Sequence, residues 1–295
     1  MSEAVKTSGS PSSSRLSILG KATQADIRLR PYPHLLIEDA LPAEVFAELA
    51  SKFPKFEWIA GAEANDNNKA CLKAAADVVG NSDIAPIWRE FFAYHLSRAF
   101  FEEVVAIWGE TIERTHPGIA ENFGKPLADF VVGTRAAGKA TAEANKETDI
   151  VLDCVFGVNT PVRRVSPVRG PHIDNPVKLF SSLLYFRTTD DHSQGGEHQM
   201  FHLRNRIYPQ RQLKKIPERY VEADIRIPYR ANSLLFWLNS ALSIHGVTPR
   251  GTTPVPRRYV SVTGECYGGE KSGGYFGHHP EWETVSGRLR SLVNL

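Results

Sequence analysis

Apolar positions change their period near residue 149, and that change divides the chain into two textures. Before it the pattern is helical. Pro31 and Pro33 stop any helix and lead into a short apolar strand through Leu35, Leu36 and Ile37. Pro42 then opens a short helix with Val45, Phe46 and Leu49 on one face, ending before Pro54. Residues 61–68 read as a surface loop. From 85 to 111 the residues Trp88, Phe91, Phe92, Leu96, Phe100, Val104, Ile107 and Trp108 recur at three- and four-residue steps. This predicts helix, with a break near Ser97, which would cap a second one. The aromatic stripe is expected to pack on a sheet, with His95 and His116 on the helix surface or in loops. Residues 117–146 predict loops and one strand at 129–132.

After residue 149 short apolar runs alternate with turns. Strands are predicted at 151–158, around His172 and Asp174, and at 179–187, 197–203, 225–227, 233–237, 244–247 and 258–263. A basic, proline-bounded loop (160–169), a polar turn ending in Gly195-Gly196, and a long basic connection (204–222) separate them. Eight short strands behind a helix-rich first part predict an α+β fold, a jelly roll buttressed by N-terminal helices. The expected organisation is a disordered tail (1–25), a helix-rich part packing on the barrel (26–148) and a catalytic core (149–295), making one catalytic domain.

Composition narrows the classes. The 295 residues carry a net charge of +2 and no long Lys/Arg run, so nothing points to nucleic acid. No apolar run approaches the ~20 residues of a membrane helix. Cys71, Cys154 and Cys266 are far apart and lack any CxxC spacing, as in a reduced cytoplasmic protein. The first 14 residues are Ser-rich and polar, without the apolar stretch of a secretory signal.

The candidate chemistry sits in Gly170-Pro171-His172-Ile173-Asp174-Asn175-Pro176. On an extended strand His172 and Asp174 project to the same side, so both can reach one divalent metal. A second histidine from elsewhere would complete a facial triad with open positions, the usual setting of non-haem Fe(II). His245, in His245-Gly246-Val247, is that candidate, and a strand bearing Arg257-Arg258-Tyr259 follows it. His198 and His202 would share a strand face near His192, but no carboxylate falls at a convincing spacing for a second metal site.

Together with Leu184-Tyr185-Phe186, the glycine pair and Leu234-Leu235-Phe236-Trp237, these pieces resemble the prolyl-4-hydroxylase-like branch of the Fe(II)/2-oxoglutarate-dependent oxygenases, from about residue 150 onward. The resemblance implies a double-stranded β-helix and iron on His172, Asp174 and His245. It implies that Arg258 anchors the distal carboxylate of 2-oxoglutarate, with the Tyr185 hydroxyl beside it. The stretch between His245 and Arg258 is longer than the family's, which leaves Arg250 and Arg257 as alternative anchors. The implied reaction couples 2-oxoglutarate and O2 to hydroxylation of an unactivated C–H, releasing succinate and CO2. Asp174, replaced by a small residue in the halogenases of this superfamily, is kept here. The expected substrate is a small or carrier-bound metabolite, met by Asn159, Arg163, Arg164, Asn175 and Trp237. Arg169, Lys178 and the basic residues between Arg204 and Lys215 are further candidates at the mouth. The Gly-rich stretch 268–277 would supply a lid, with His278 and His279 as loop residues. A peptide hydroxylase, or a non-catalytic cupin-like barrel, is the alternative. A homo-oligomer is compatible with the sequence.

Overall fold

The computed structural model describes residues 15–135, 148–204 and 215–267. The expected lid, His278, His279 and most of the basic run after Arg204 lie outside these residues. The helical part supplies β1 (His34–Ile37), α1 (Ala43–Ser51), α2 (Phe56–Ala60), β2 (Ala70–Lys73), α3 (Ala75–Val78), α4 (Pro86–His95), α5 (Arg98–Thr115), α6 (Ile119–Phe123) and β3 (Val132–Thr134). Ser97 makes the expected break: its hydroxyl accepts the Phe100 N–H, satisfying a donor that the start of α5 would otherwise leave open. The strand expected at 129–132 is displaced, with a 3-10 turn at Leu127–Asp129 and β3 lying parallel beside the strand that begins at Ile150.

Two expectations about this part change. Residues 16–25, assigned to the tail, include Leu16, Ile18 and Leu19, which are buried in the core. His95 and His116 are also buried rather than on the surface. The two findings are linked at His95, whose Nε2 accepts the Ile18 N–H at 3.1 Å while Nδ1 donates to the Phe91 carbonyl at 2.7 Å. Helical spacing marks an apolar face but does not say which distant segment will cover it.

The second part supplies β4 (Ile150–Asn159), β5 (Lys178–Tyr185), β6 (His198–Leu203), β7 (Val221–Ile227), β8 (Leu234–Leu238), β9 (His245–Val247) and β10 (Arg257–Cys266). A seven-stranded sheet runs β1-β8-β5-β10-β4-β2 with β3 beside β4, and a three-stranded sheet runs β7-β6-β9. Isolated bridges Val162–Thr253, Ser166–Arg250 and His172–His245 place the segment between β4 and β5 against β9 and the chain that follows it. The chain therefore winds alternately through the two sheets: β4 large, 162–172 small, β5 large, β6 and β7 small, β8 large, β9 small, β10 large. This is the double-stranded β-helix, with helices packed on its large sheet.

Period-2 alternation gives that sheet two faces. Phe156, Phe180, Val260, Val262 and Phe236 join Trp88, Phe92 and Trp108 in the helix-side core. Ring centroids lie at 4.6 Å for Trp88–Phe156 and 5.0 Å for Trp108–Phe236. Such contacts are worth ~0.5–1.5 kcal/mol each beyond area burial. The opposite face turns Leu235 and Trp237 toward Met200 and Ile227, so the interior lies between the sheets. Gly195 and Gly196 close the turn before β6 with φ of 75° and 72°. A Cβ at Gly195 would lie 1.9 Å from the Pro249 carbonyl oxygen, so this turn can pack on the 249–250 backbone only with glycine there.

Candidate metal centre

His172 and His245 are brought together by backbone pairing. Each donates its N–H to the other's carbonyl at 2.9 Å, which places their side chains on one side of the ladder. Asp174, two residues on, follows to the same side. The ligand atoms of His172, Asp174 and His245 lie within 4.8 Å of one another, the one such cluster among the described residues. Both Nε2 atoms are 3.7 Å from Asp174 Oδ1.

The remaining ring nitrogens fix the tautomers. His172 Nδ1 lies 2.9 Å from the Gly170 carbonyl and His245 Nδ1 lies 2.8 Å from the Ser243 carbonyl. A carbonyl only accepts, so each Nδ1 carries the proton and each Nε2 offers its lone pair toward Asp174. Burial pushes His245 down to about 3, with the neighbouring His172 adding to it, so the ring is neutral, the form that ligates. Burial by itself would raise Asp174. Lys178, 3.3 Å from Oδ2, together with His172 and His245, holds it well below the usual carboxylate range. Ser181 donates to the same oxygen at 3.0 Å and accepts from Asn239 Nδ2 at 3.2 Å. The donor set fits a divalent cation, being two neutral imidazoles and one ionised carboxylate with an oriented outer layer.

Farther along the same interior the strand register turns Arg257 inward and Arg258, the anchor expected from sequence, outward. Arg258 is half-buried and faces the helices, its guanidinium 5.5 Å over the Phe53 ring. Arg257 is the residue turned inward. It is 3% exposed, because β10 pairs Arg257 with Asn159 and Tyr259 with Tyr185. Its guanidinium lies 4.9, 5.0 and 5.3 Å from the rings of Tyr185, Tyr229 and Tyr259, and Nη1 donates to Asn159 Oδ1 at 3.2 Å. Arg257 Nε and Nη2 and the Tyr185 hydroxyl are buried without a hydrogen-bond partner. Two guanidinium nitrogens without partners, set among three aromatic rings, are donors of the charge and geometry that a carboxylate accepts. Arg250 is fully buried and ion-paired, with Nη2 bonded to Asp191 at 2.7 Å and to the Val255 carbonyl, and only its Nη1 lacks a partner.

The other expected contacts divide. Asn159 is buried against Arg257, and Trp237 is inside the barrel with its ring 5.1 Å from His245. Arg163, Arg164 and Asn175 are exposed. The Arg163 and Arg164 amides both donate to Asn67 Oδ1, and Arg163 Nη2 reaches Asn65 Oδ1 at 3.4 Å. Arg169, a partly exposed side chain, is 3.9 Å from Asp174. A bulge between Met200 and Phe201 separates the faces of His198 and His202. His198 is buried and stacked on His245 at 5.1 Å, whereas His202 is exposed beside Glu222 and Asp224. Nothing in the sequence marks Tyr229 or Tyr32 for this interior, since neither sits in a motif, and His198 stood out only by its spacing from His202.

No model of a known family matches the chain, and no curated protein matches its sequence. Solved structures similar to it include a prolyl-4-hydroxylase from Pseudomonas putida, at 14% identity and TM-score 0.41 over 79% of this chain and 92% of that one. A prolyl 4-hydroxylase from Phytophthora capsici aligns at 13% identity and TM-score 0.43, covering 87% and 68%. A 2OG-Fe(II) oxygenase family oxidoreductase from Burkholderia pseudomallei aligns at 11% and 0.38, covering 83% and 88%.

Proposed function

We propose that the protein is an Fe(II)- and 2-oxoglutarate-dependent dioxygenase that hydroxylates a C–H bond of a small or carrier-bound metabolite. The observation that carries this reading is the pairing, in one interior, of a His-Asp-His triad with a buried arginine whose Nε and Nη2 lack partners. A metal-binding barrel alone has no need of that arginine. A guanidinium buried without an anion is costly, and a dicarboxylate reaching from the metal would relieve the cost.

His172, Asp174 and His245 hold the iron, and Ser181 and Lys178 keep the carboxylate oriented and ionised. Arg257 and Tyr185 take the distal carboxylate of 2-oxoglutarate, with Asn159 fixing the guanidinium plane. Bound iron supplies the activation of O2 that no side chain can. Trp237, Leu235, Met200 and Ile227 wall the interior with apolar surface and limit water there. Arg163, Arg164, Arg169 and Asn175, on the exposed segments flanking the triad, are the substrate-facing candidates, and three arginines suit an anionic group.

The test needs no substrate. Fe(II) and then 2-oxoglutarate are added anaerobically, and the visible charge-transfer band of the chelated keto acid is followed. Its appearance in the native protein and loss in Asp174→Ala is the expected result. Iron binding with no band would overturn 2-oxoglutarate as co-substrate; no iron binding would overturn the triad.

A further inference from the structure

The interior contains a second set of unused donors, separate from Arg257 and adjoining the triad on the side of β8. Tyr32 comes from the segment ahead of β1, far in sequence from the first metal ligand. It is 1% exposed and packs with Trp237, Met200, Leu235 and Ile227 inside the barrel. Its hydroxyl has no hydrogen-bond partner, and neither has Trp237 Nε1 or His198 Nε2. All three side chains are at least nine-tenths buried. His198, Trp237 and His245 form a triangle of rings with centroids 5.1 Å apart on each side.

Three orphaned polar groups on side chains that pack together need a common explanation, because each unmade hydrogen bond costs ~1–3 kcal/mol. Core packing does not provide one: Phe would fill the places of Tyr32 and Trp237 without an orphaned donor. A phenol O–H and an indole N–H are donors suited to an oxygen or an anion, and the indole cannot accept. The His198 and Trp237 rings both lie against the ligand ring of His245, with centroids 5.1 Å away, so a group meeting these donors adjoins the triad. A cation would be drawn to Asp174, but Tyr32 and Trp237 offer it no charge; an anion resting on the metal satisfies both donors.

We propose that Tyr32, with Trp237 and His198, forms a donor wall that binds an anionic ligand of the triad's metal, making Tyr32 a positioning residue of the site. This rests on the metal-centre reading, but not on the identity of the co-substrate. It also gives the segment ahead of β1 a part in the chemistry, since the wall is incomplete without it.

The experiment uses the full chain loaded with Co(II), whose visible bands report on ligand exchange. Azide serves as the anion probe, and 2-oxoglutarate is titrated separately. Tyr32→Phe keeps the ring and removes only the hydroxyl, and Trp237→Phe removes the indole N–H. The expected result is azide binding weakened roughly ten-fold in each variant, the scale of a lost hydrogen bond to a charged group, with altered Co(II) bands in the azide complex and unchanged Co(II) affinity. Thermal unfolding of Tyr32→Phe within ~1 °C of the native protein would exclude a purely structural effect. Azide affinity within about two-fold of native in both variants would overturn the proposal. So would a matching fall in Co(II) affinity, which would place the hydroxyl's action on Asp174 instead, or a native cobalt protein that binds no azide. Native protein that binds azide through these donors but not 2-oxoglutarate would sustain the wall and sink the proposed co-substrate.

Discussion

Replacing Arg257 with methionine separates a buried anchor from a structural charge. Arg257 has one side-chain hydrogen bond, to Asn159, and two buried nitrogens without partners. A carboxylate bound by those two would gain a charge-assisted pair at ~1.5–3 kcal/mol per bond. Arg257→Met should therefore weaken 2-oxoglutarate binding by about 3–6 kcal/mol, a factor of ~10²–10⁴. Arg258→Met removes a half-buried cation over Phe53 on the other face and should leave that affinity within about two-fold. The unliganded protein gives a second readout. Methionine has a volume near that of arginine and no charge to desolvate, so Arg257→Met should unfold at the native temperature or above it. The assay is anaerobic titration of 2-oxoglutarate into the Fe(II) protein, followed by its charge-transfer band, with calorimetric melting of the apo-protein. If Arg258→Met abolished binding and Arg257→Met did not, the register argument for the inward residue would be refuted. If Arg257→Met cost more than ~2 kcal/mol of apo stability, its three-ring contact would be structural and the unpaired-charge argument would fail.

Three other expectations follow from particular contacts. Ser181→Ala removes the hydroxyl that orients Asp174 Oδ2 and should lower Fe(II) affinity ~10–100-fold in a chelator competition; a change under two-fold would leave Lys178 as the sole support. His95 is held down to about 3 by burial, so between about pH 6.5 and 3 the unfolded chain binds a proton that the native state refuses. Stability should therefore fall on acidification, by ~2 kcal/mol from this residue between pH 7 and 5, and denaturant titrations should find that loss reduced in His95→Gln. Gly157→Ala would set a Cβ 2.2 Å from the Tyr259 ring, which packs on Arg257. It should cost ~1–3 kcal/mol and weaken 2-oxoglutarate binding as well; native melting with native affinity would show the ring free to move.

The elements that local sequence determines are those whose reasons are local. The break at Ser97 is a capping interaction within one turn, and β4, β5 and β8 show in apolar runs that only a sheet buried on both faces can use. His172 and Asp174 were legible for the same reason: two residues apart on extended chain is a geometric statement. His245 could be found because its neighbours in sequence mark it, although only the 2.9 Å backbone pair with His172 brings it there. What the sequence left open depends on phase and on distant partners. Choosing between Arg257 and Arg258 requires the register of β10 against β4 and β5, and a one-residue slip exchanges the faces. The burial of His95 beneath residues 16–19, the bulge that parts His198 from His202, and the packing of Tyr32 with Trp237 and Met200 belong to tertiary structure. Each is a contact between segments far apart in the chain, where neither hydrophobic period nor residue type records which surfaces will meet.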